Sequence, residues 1–83
     1  MAVEIKLGRL YKDAAGWVLR AEEEINRRLS ADGSEWVMTY RMLVAYADKQ
    51  ENESCIGNYV TYYGNGQHIS RDPSYDVIRE ILP

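Results

Sequence analysis

Phenylalanine is missing from this chain, and cysteine and histidine occur once each, whereas seven tyrosines and two tryptophans are present. One cysteine cannot form an internal disulfide, so we expect either a reducing compartment or indifference to redox state, and we expect Cys55 to be a small buried hydrophobe. Because His68 is the single histidine, a catalytic triad or a His/Cys metal site has too few candidate residues. We therefore predict that the protein is not an enzyme and holds neither a metal nor a cofactor.

Long apolar runs and a dense basic cluster are also missing. Ten Lys and Arg against thirteen Asp and Glu give a net charge of −3, which argues against a protein whose main task is to bind phosphate backbones. No apolar run is long enough to cross a bilayer, and the first residues lack the basic start and apolar block of a secretory signal. We expect a soluble, cytoplasmic protein with one domain spanning residues 1–83 and no membrane partner.

Two kinds of hydrophobic periodicity are present in the N-terminal part of the chain. Val3, Ile5 and Leu7 alternate with polar residues or glycine, which predicts a short strand. From Trp17 to Leu29 the apolar residues step by three or four, and acidic residues precede Asn or Arg by one turn, which predicts a long helix. Because the stepped pattern also extends backward, residues 3–16 begin either as strand or as helix.

Residues Trp36 to Ala47 alternate with a period of two. Arg41 marks one parity as the wetter side, so we predict a strand whose other parity is covered. A helical alternative exists for this segment, but its β-branched and aromatic residues favour a strand. The covered parity comprises Trp36, Met38, Tyr40, Met42, Val44 and Tyr46.

A polar connector, Asp48 to Glu53, leads to a second predicted strand, Cys55 to Tyr63. The sequence Gly64-Asn65-Gly66 then predicts a hairpin with a two-residue turn through Asn65 and Gly66. This turn would pair Tyr63 with His68, Tyr62 with Ile69, Thr61 with Ser70 and Val60 with Arg71.

A capping signal precedes the C-terminal segment. Asp72 is placed to cap a helix with Pro73 in its first position, and the apolar residues after it form a stripe, so we predict a short helix. The complete prediction is an α+β domain with the order β-α-β-β-β-α. One face of its antiparallel sheet is covered by the long N-terminal helix, and the chain closes with the short C-terminal helix.

The predicted pairing leaves one face of the sheet open, and that face carries the candidate site. Tyrosine, arginine and leucine on a rigid face are typical of a binding hot spot. The simpler interpretation is that Tyr suits half-buried strands. The candidate protein-binding residues are Tyr59, Tyr63, His68, Arg41, Leu43 and Thr61.

These features favour a protein-binding regulatory or inhibitory domain, acting on another protein or across a homodimer. In size, acidity and lack of motifs the chain resembles small inhibitors of phages and mobile elements, such as anti-CRISPR proteins, and the resemblance implies an inhibitor. The alternative is binding of single-stranded nucleic acid, with Tyr59, Tyr63 and His68 stacking on bases while Arg41 and Arg71 contact phosphates. No small-molecule ligand is predicted.

Overall fold

Five antiparallel strands form one sheet in the computed structural model of the protein, which describes residues 3–30, 32–47 and 54–81. Their order across the sheet is β4-β3-β2-β1-β5. The strands are β1 (Leu10–Asp13), β2 (Trp17–Leu29), β3 (Trp36–Ala47), β4 (Tyr59–Tyr63) and β5 (Val77–Ile81), with a 3-10 turn at Pro73–Tyr75. The α+β prediction is wrong, because the described residues form an almost entirely β structure. They include no helix long and apolar enough to span a membrane.

The long helix predicted for residues 17–29 is strand β2. Its first half alternates between the two faces, and the buried Leu19 and Ala21 lie opposite the buried Val44 and Met42 of β3. Helix propensity is a weak preference that tertiary context overrides, and an isolated helix of this length is marginal in water. Pairing with β3 therefore decides the conformation.

The acid–base spacing in β2 serves the sheet rather than a helix face. Arg20 Nε donates to Glu22 Oε2 at 2.7 Å, two residues along the same strand. Glu23 forms an ion pair with Arg41, which lies opposite it in β3. Charges that appear one helical turn apart in the sequence are thus used along and across strands.

Strand β3 is confirmed with the predicted bounds, whereas its predicted covered parity is only partly right. Met42 and Val44 are fully buried, but Trp36 and Tyr46 are 65% and 57% exposed. Thr39, of the other parity, is buried. The strand is longer than the core beneath it, and β2 shifts register by bulges, so a single parity rule cannot hold along its length.

The predicted hairpin turn is present with a different register. Gly66 N donates to Tyr63 O at 2.9 Å, and Tyr63 N donates to Gln67 O at 2.8 Å, so the loop contains three residues rather than two. Gly66 has a φ of 92°, the left-handed conformation of a glycine bulge. This extra residue moves the pairing by one position, and Tyr62 lies opposite His68.

The strand before this turn is shorter than predicted. Strand β4 begins at Tyr59, four residues after Cys55, and Ile56, which lies within the predicted strand, is exposed. Cys55 is half-buried and packs against the core, as expected of a small hydrophobe. The predicted connector at 48–53 lies outside the described residues.

The prediction of a C-terminal helix is also wrong, although Asp72 does cap a short 3-10 turn. Asp72 Oδ1 accepts a hydrogen bond from Ser74 N at 3.0 Å, and Pro73 begins the 3-10 turn. The chain then continues as β5, which pairs with β1 so that Leu10 lies opposite Ile81. Its β-branched residues favour a strand, and β5 covers what would otherwise be an open edge of β1.

The first predicted strand, Val3 to Leu7, forms neither a strand nor a helix. Its backbone is nevertheless tied to the hairpin turn, because Val3 N donates to Asn65 O at 3.1 Å and Ile5 N donates to Gly64 O at 2.8 Å. These bonds place the side chain of Ile5 in the core.

The sheet curls until its two edges approach each other. Val77 N of β5 donates to Gly66 O, in the turn after β4, at 2.8 Å. Strong curling of a small sheet encloses a core without a covering helix. The buried core comprises Ile5, Tyr11, Leu19, Ala21, Met42, Val44, Tyr62 and Val77.

Candidate functional site

Four of the six predicted site residues lie together on one face of β3 and β4. Leu43 lies opposite Tyr59, and Arg41 lies opposite Thr61, two positions along each strand. Residues of one parity in paired strands share a face, so these four side chains form a continuous patch. We call this patch, Arg41, Leu43, Tyr59 and Thr61, the Tyr59 surface. The ring of Tyr59 is 54% exposed.

Arg41 organises the Tyr59 surface. Its guanidinium carbon lies 4.7 Å from the centroid of the Tyr59 ring, a cation–π geometry. The same guanidinium forms an ion pair with Glu23 of β2. One arginine therefore links three strands and restrains an exposed aromatic ring.

Sequence reasoning missed the part of this surface that β2 contributes. Arg20 lies opposite Leu43, and its hydrogen bond to Glu22, together with the charge of that carboxylate, raises the pKa of the guanidinium. The helix predicted for Trp17 to Leu29 separates Glu22 and Glu23 from the sheet, whereas the structure places both in β2, next to β3. The alternation of apolar and polar residues from Leu19 to Glu22 was the available signal for a strand.

Tyr63 does not contribute an exposed ring. Its side chain is only 4% exposed, and Thr39, which lies opposite it in β3, is buried as well. This end of the face is therefore closed, and the patch ends at Thr61.

His68 lies away from the Tyr59 surface. Its ring centroid is 5.1 Å from that of Tyr62 and 5.2 Å from that of Tyr75. His68 Nδ1 accepts a hydrogen bond from Ser70 N at 3.0 Å, which requires that nitrogen to be unprotonated. Burial lowers the pKa of the imidazole, which also favours the unprotonated nitrogen. The side chain thus shapes the turn that follows the hairpin.

A buried carboxyl group lies next to these rings. Asp13 Oδ1 accepts hydrogen bonds from Ala15 N at 3.0 Å and Trp17 N at 2.8 Å, which fixes the turn between β1 and β2. Asp13 Oδ2 lies 3.0 Å from the hydroxyl of Tyr62, which is also 2.7 Å from the carbonyl oxygen of Tyr75. Burial raises the pKa of both Asp13 and Tyr62.

Within the described ranges no group of three or more His, Cys, Asp or Glu side chains is placed to hold a metal ion. Comparison with protein-family models, curated proteins and solved structures found no match to this chain. The class of protein is therefore defined by its own geometry. It is a small curled antiparallel sheet with a restrained Arg/Tyr pair exposed on one face.

Proposed function

We propose that this protein is a non-enzymatic binding domain that regulates or inhibits another protein through the Tyr59 surface. The observation that carries the proposal is the exposed ring of Tyr59 held against the Arg41 guanidinium on paired strands. Tyrosine and arginine are the side chains most enriched among residues that dominate binding energy.

The surface is suited to binding because little of it has to be ordered on contact. Its backbone is fixed in the β3–β4 ladder, and Arg41 is restrained by Glu23 and by the Tyr59 ring. Side chains that are already restrained lose less conformational entropy when a partner binds. Leu43 and Thr61, both half-buried, supply a flat apolar and polar border to the ring.

The same geometry favours a protein partner over single-stranded nucleic acid. Stacking on bases needs several exposed rings on one face, yet Tyr63 is buried and His68 packs against Tyr62 and Tyr75. Arg41 is already paired with Glu23, and the net charge of the chain is −3. These features oppose a phosphate-binding groove.

The proposal is tested by capturing partners from the native host on immobilised protein and then measuring affinity by calorimetry for wild type, Tyr59→Ala and Tyr46→Ala. Tyr46 is a matched control because it is a similarly exposed tyrosine in β3, and its parity is opposite to that of Arg41 and Leu43. We expect Tyr59→Ala to weaken binding by about 2 kcal/mol or more, as at a hot spot, and Tyr46→Ala to leave it unchanged.

The activity of the captured partner, measured with each variant, tests the regulatory part of the proposal. Wild type and Tyr46→Ala should change that activity, and Tyr59→Ala should lose the effect. If the partner is a second copy of the chain, sedimentation will show a dimer that Tyr59→Ala dissociates. Equal affinity and oligomeric state for all three folded proteins, or binding only to labelled single-stranded oligonucleotides, would contradict the proposal.

A further inference from the structure

A pocket of about 340 Å³ lies on the opposite face of β3 from the Tyr59 surface. It opens to solvent between β3, the N-terminal segment and the hairpin turn. Its lining includes Glu4, Ile5, Met38, Tyr40 and Gly64. The volume is near the lower limit of ligand pockets in proteins, which suits a single side chain rather than a large cofactor.

Backbone hydrogen bonds hold the walls of this pocket in place before any ligand binds. Ile5 N donates to Gly64 O at 2.8 Å, and Gly64 N donates to Met38 O at 2.6 Å, which joins the segment, the turn and β3. A Cβ at Gly64 would lie 2.8 Å from Met38 O, so the close approach requires glycine. The hydroxyl of Tyr11 also donates to the carbonyl oxygen of Glu4 at 3.2 Å. The pocket therefore needs little rearrangement to accept a ligand.

The pocket is apolar at its base and negative at its mouth. Ile5 is buried, and Met38 and Tyr40 are half-buried. Glu4 lines the pocket, and Glu24 lies opposite Tyr40 in β2. Besides burial, the negative charges of Glu24 and Glu4 raise the pKa of the Tyr40 hydroxyl, which places both carboxylates near the ring. The described lining contains no lysine or arginine, and Arg27 of β2 lies opposite Met38.

This combination selects a cation on an apolar stem. A methylene chain gains free energy against Ile5 and Met38, while the cation faces the Tyr40 ring and the two carboxylates. Lysine and arginine carry that chemistry, since their stems bury while their charged ends stay near polar groups. We propose that the pocket binds a lysine or arginine side chain presented by a partner polypeptide, as a second site independent of the Tyr59 surface.

The test uses NMR titration of the isotope-labelled full chain with N-acetyl-lysine methylamide. N-acetyl-norleucine methylamide is the neutral control of similar shape, and both probes are added at constant ionic strength. We expect saturable shifts at Ile5, Met38, Tyr40 and Gly64 with the lysine probe, and at least about fivefold weaker binding of the norleucine probe. N-acetyl-arginine methylamide, the corresponding arginine probe, should give the same pattern of shifts.

Variants separate the pocket from general attraction to an acidic protein. Glu4→Gln keeps the backbone contacts of residue 4 and should weaken the lysine probe about threefold to tenfold. Glu35→Gln removes an exposed carboxylate that does not line the pocket and should have no effect. Tyr59→Ala should also leave probe affinity unchanged, so failure of the Tyr59 surface and failure of the pocket are separate results.

Two results would overturn the inference. One is equal affinity for the lysine and norleucine probes, which would show that charge plays no part. The other is the absence of saturable shifts at the pocket residues. If instead Glu4→Gln and Glu35→Gln weaken the lysine probe alike, the shifts report general attraction to an acidic protein, and the inference is likewise wrong.

Discussion

At the residue scale, the contact between the Tyr62 hydroxyl and the Asp13 carboxyl group is the most informative detail of the interior. The Tyr62 hydroxyl has one proton, yet its oxygen lies within hydrogen-bond distance of two acceptors, the carbonyl oxygen of Tyr75 and Asp13 Oδ2. Both contacts are satisfied when Asp13 is protonated and donates to the tyrosine, which donates in turn to the carbonyl. Burial raises the pKa of Asp13, which favours the same arrangement.

Replacing this carboxyl by an amide tests the arrangement. Folding raises the pKa of this carboxyl, so its contribution to stability is complete below the unfolded pKa of about 4. The contribution is lost as the pH rises through the folded pKa. Asparagine keeps an acceptor for Ala15 and Trp17 and supplies a permanent donor to Tyr62. The stability of Asp13→Asn relative to wild type should therefore increase as the pH rises, as measured by urea unfolding across the acid to neutral range.

Asp13→Ala is the control for this prediction. It removes the acceptor of the Ala15 and Trp17 N–H groups and the contact with the Tyr62 hydroxyl, so it should cost about 1–3 kcal/mol at acid pH, and this cost should shrink as the pH rises because wild type then loses the contribution of Asp13. The hypothesis that a protonated Asp13 donates to Tyr62 is wrong if Asp13→Asn is as unstable as Asp13→Ala at neutral pH. It is also wrong if the stability of Asp13→Asn relative to wild type does not grow with pH. Other charged or titratable groups lie around this site: Asp76 and Tyr75 act on Tyr62, and Asp76 and Asp72 act on His68.

At the element scale, β2 shows how far sequence patterns reach. The alternation in β3 was long enough to predict that strand and its bounds, and the Asn-Gly turn and the Asp72 cap were also recognisable. In β2 only Leu19 to Glu22 alternate, and the later Glu and Arg residues fit a helix equally well. Their conformation is set by pairing with β3, a contact between residues far apart in sequence that local propensity cannot report.

A bulge is the second reason why local patterns failed. Between Glu24 and Arg27, β2 holds one residue more than β3, because Ile25 and Asn26 together lie opposite Thr39 alone. The Thr39 hydroxyl oxygen lies 2.8 Å from the carbonyl oxygen of Asn26 and accepts from Asn26 N at 3.3 Å. A polar side chain on the predicted wetter parity is therefore buried as part of the ladder.

The bulge makes a direct prediction for Thr39. Thr39→Val keeps the shape but removes the hydroxyl, which leaves backbone groups of Asn26 without a partner, and should cost about 1–3 kcal/mol of unfolding free energy. Thr39→Ser keeps the hydroxyl and should cost less than the valine variant. Chemical denaturation of the two variants measures the difference. A valine variant as stable as wild type would show that the bulge does not depend on this hydroxyl.

At the scale of the whole molecule, the curl of the sheet replaces the helix that the sequence predicts as a cover. The N-terminal segment and the contact between Val77 and Gly66 close the core without a second layer. Four of six candidate site residues come together because β3 and β4 pair as adjacent strands and these four residues share one parity of the ladder. Tyr63 and His68 do not join them, since burial at one end and a one-residue register shift depend on the complete fold.

Cross-saturation NMR from the captured partner to the labelled chain tests the central proposal most directly, because it reports which side chains touch the partner. The account predicts the strongest saturation at Arg41, Leu43, Tyr59 and Thr61, and little at the equally exposed Tyr46. Saturation centred on Trp36 or Tyr46, with the Tyr59 surface unaffected, would contradict it.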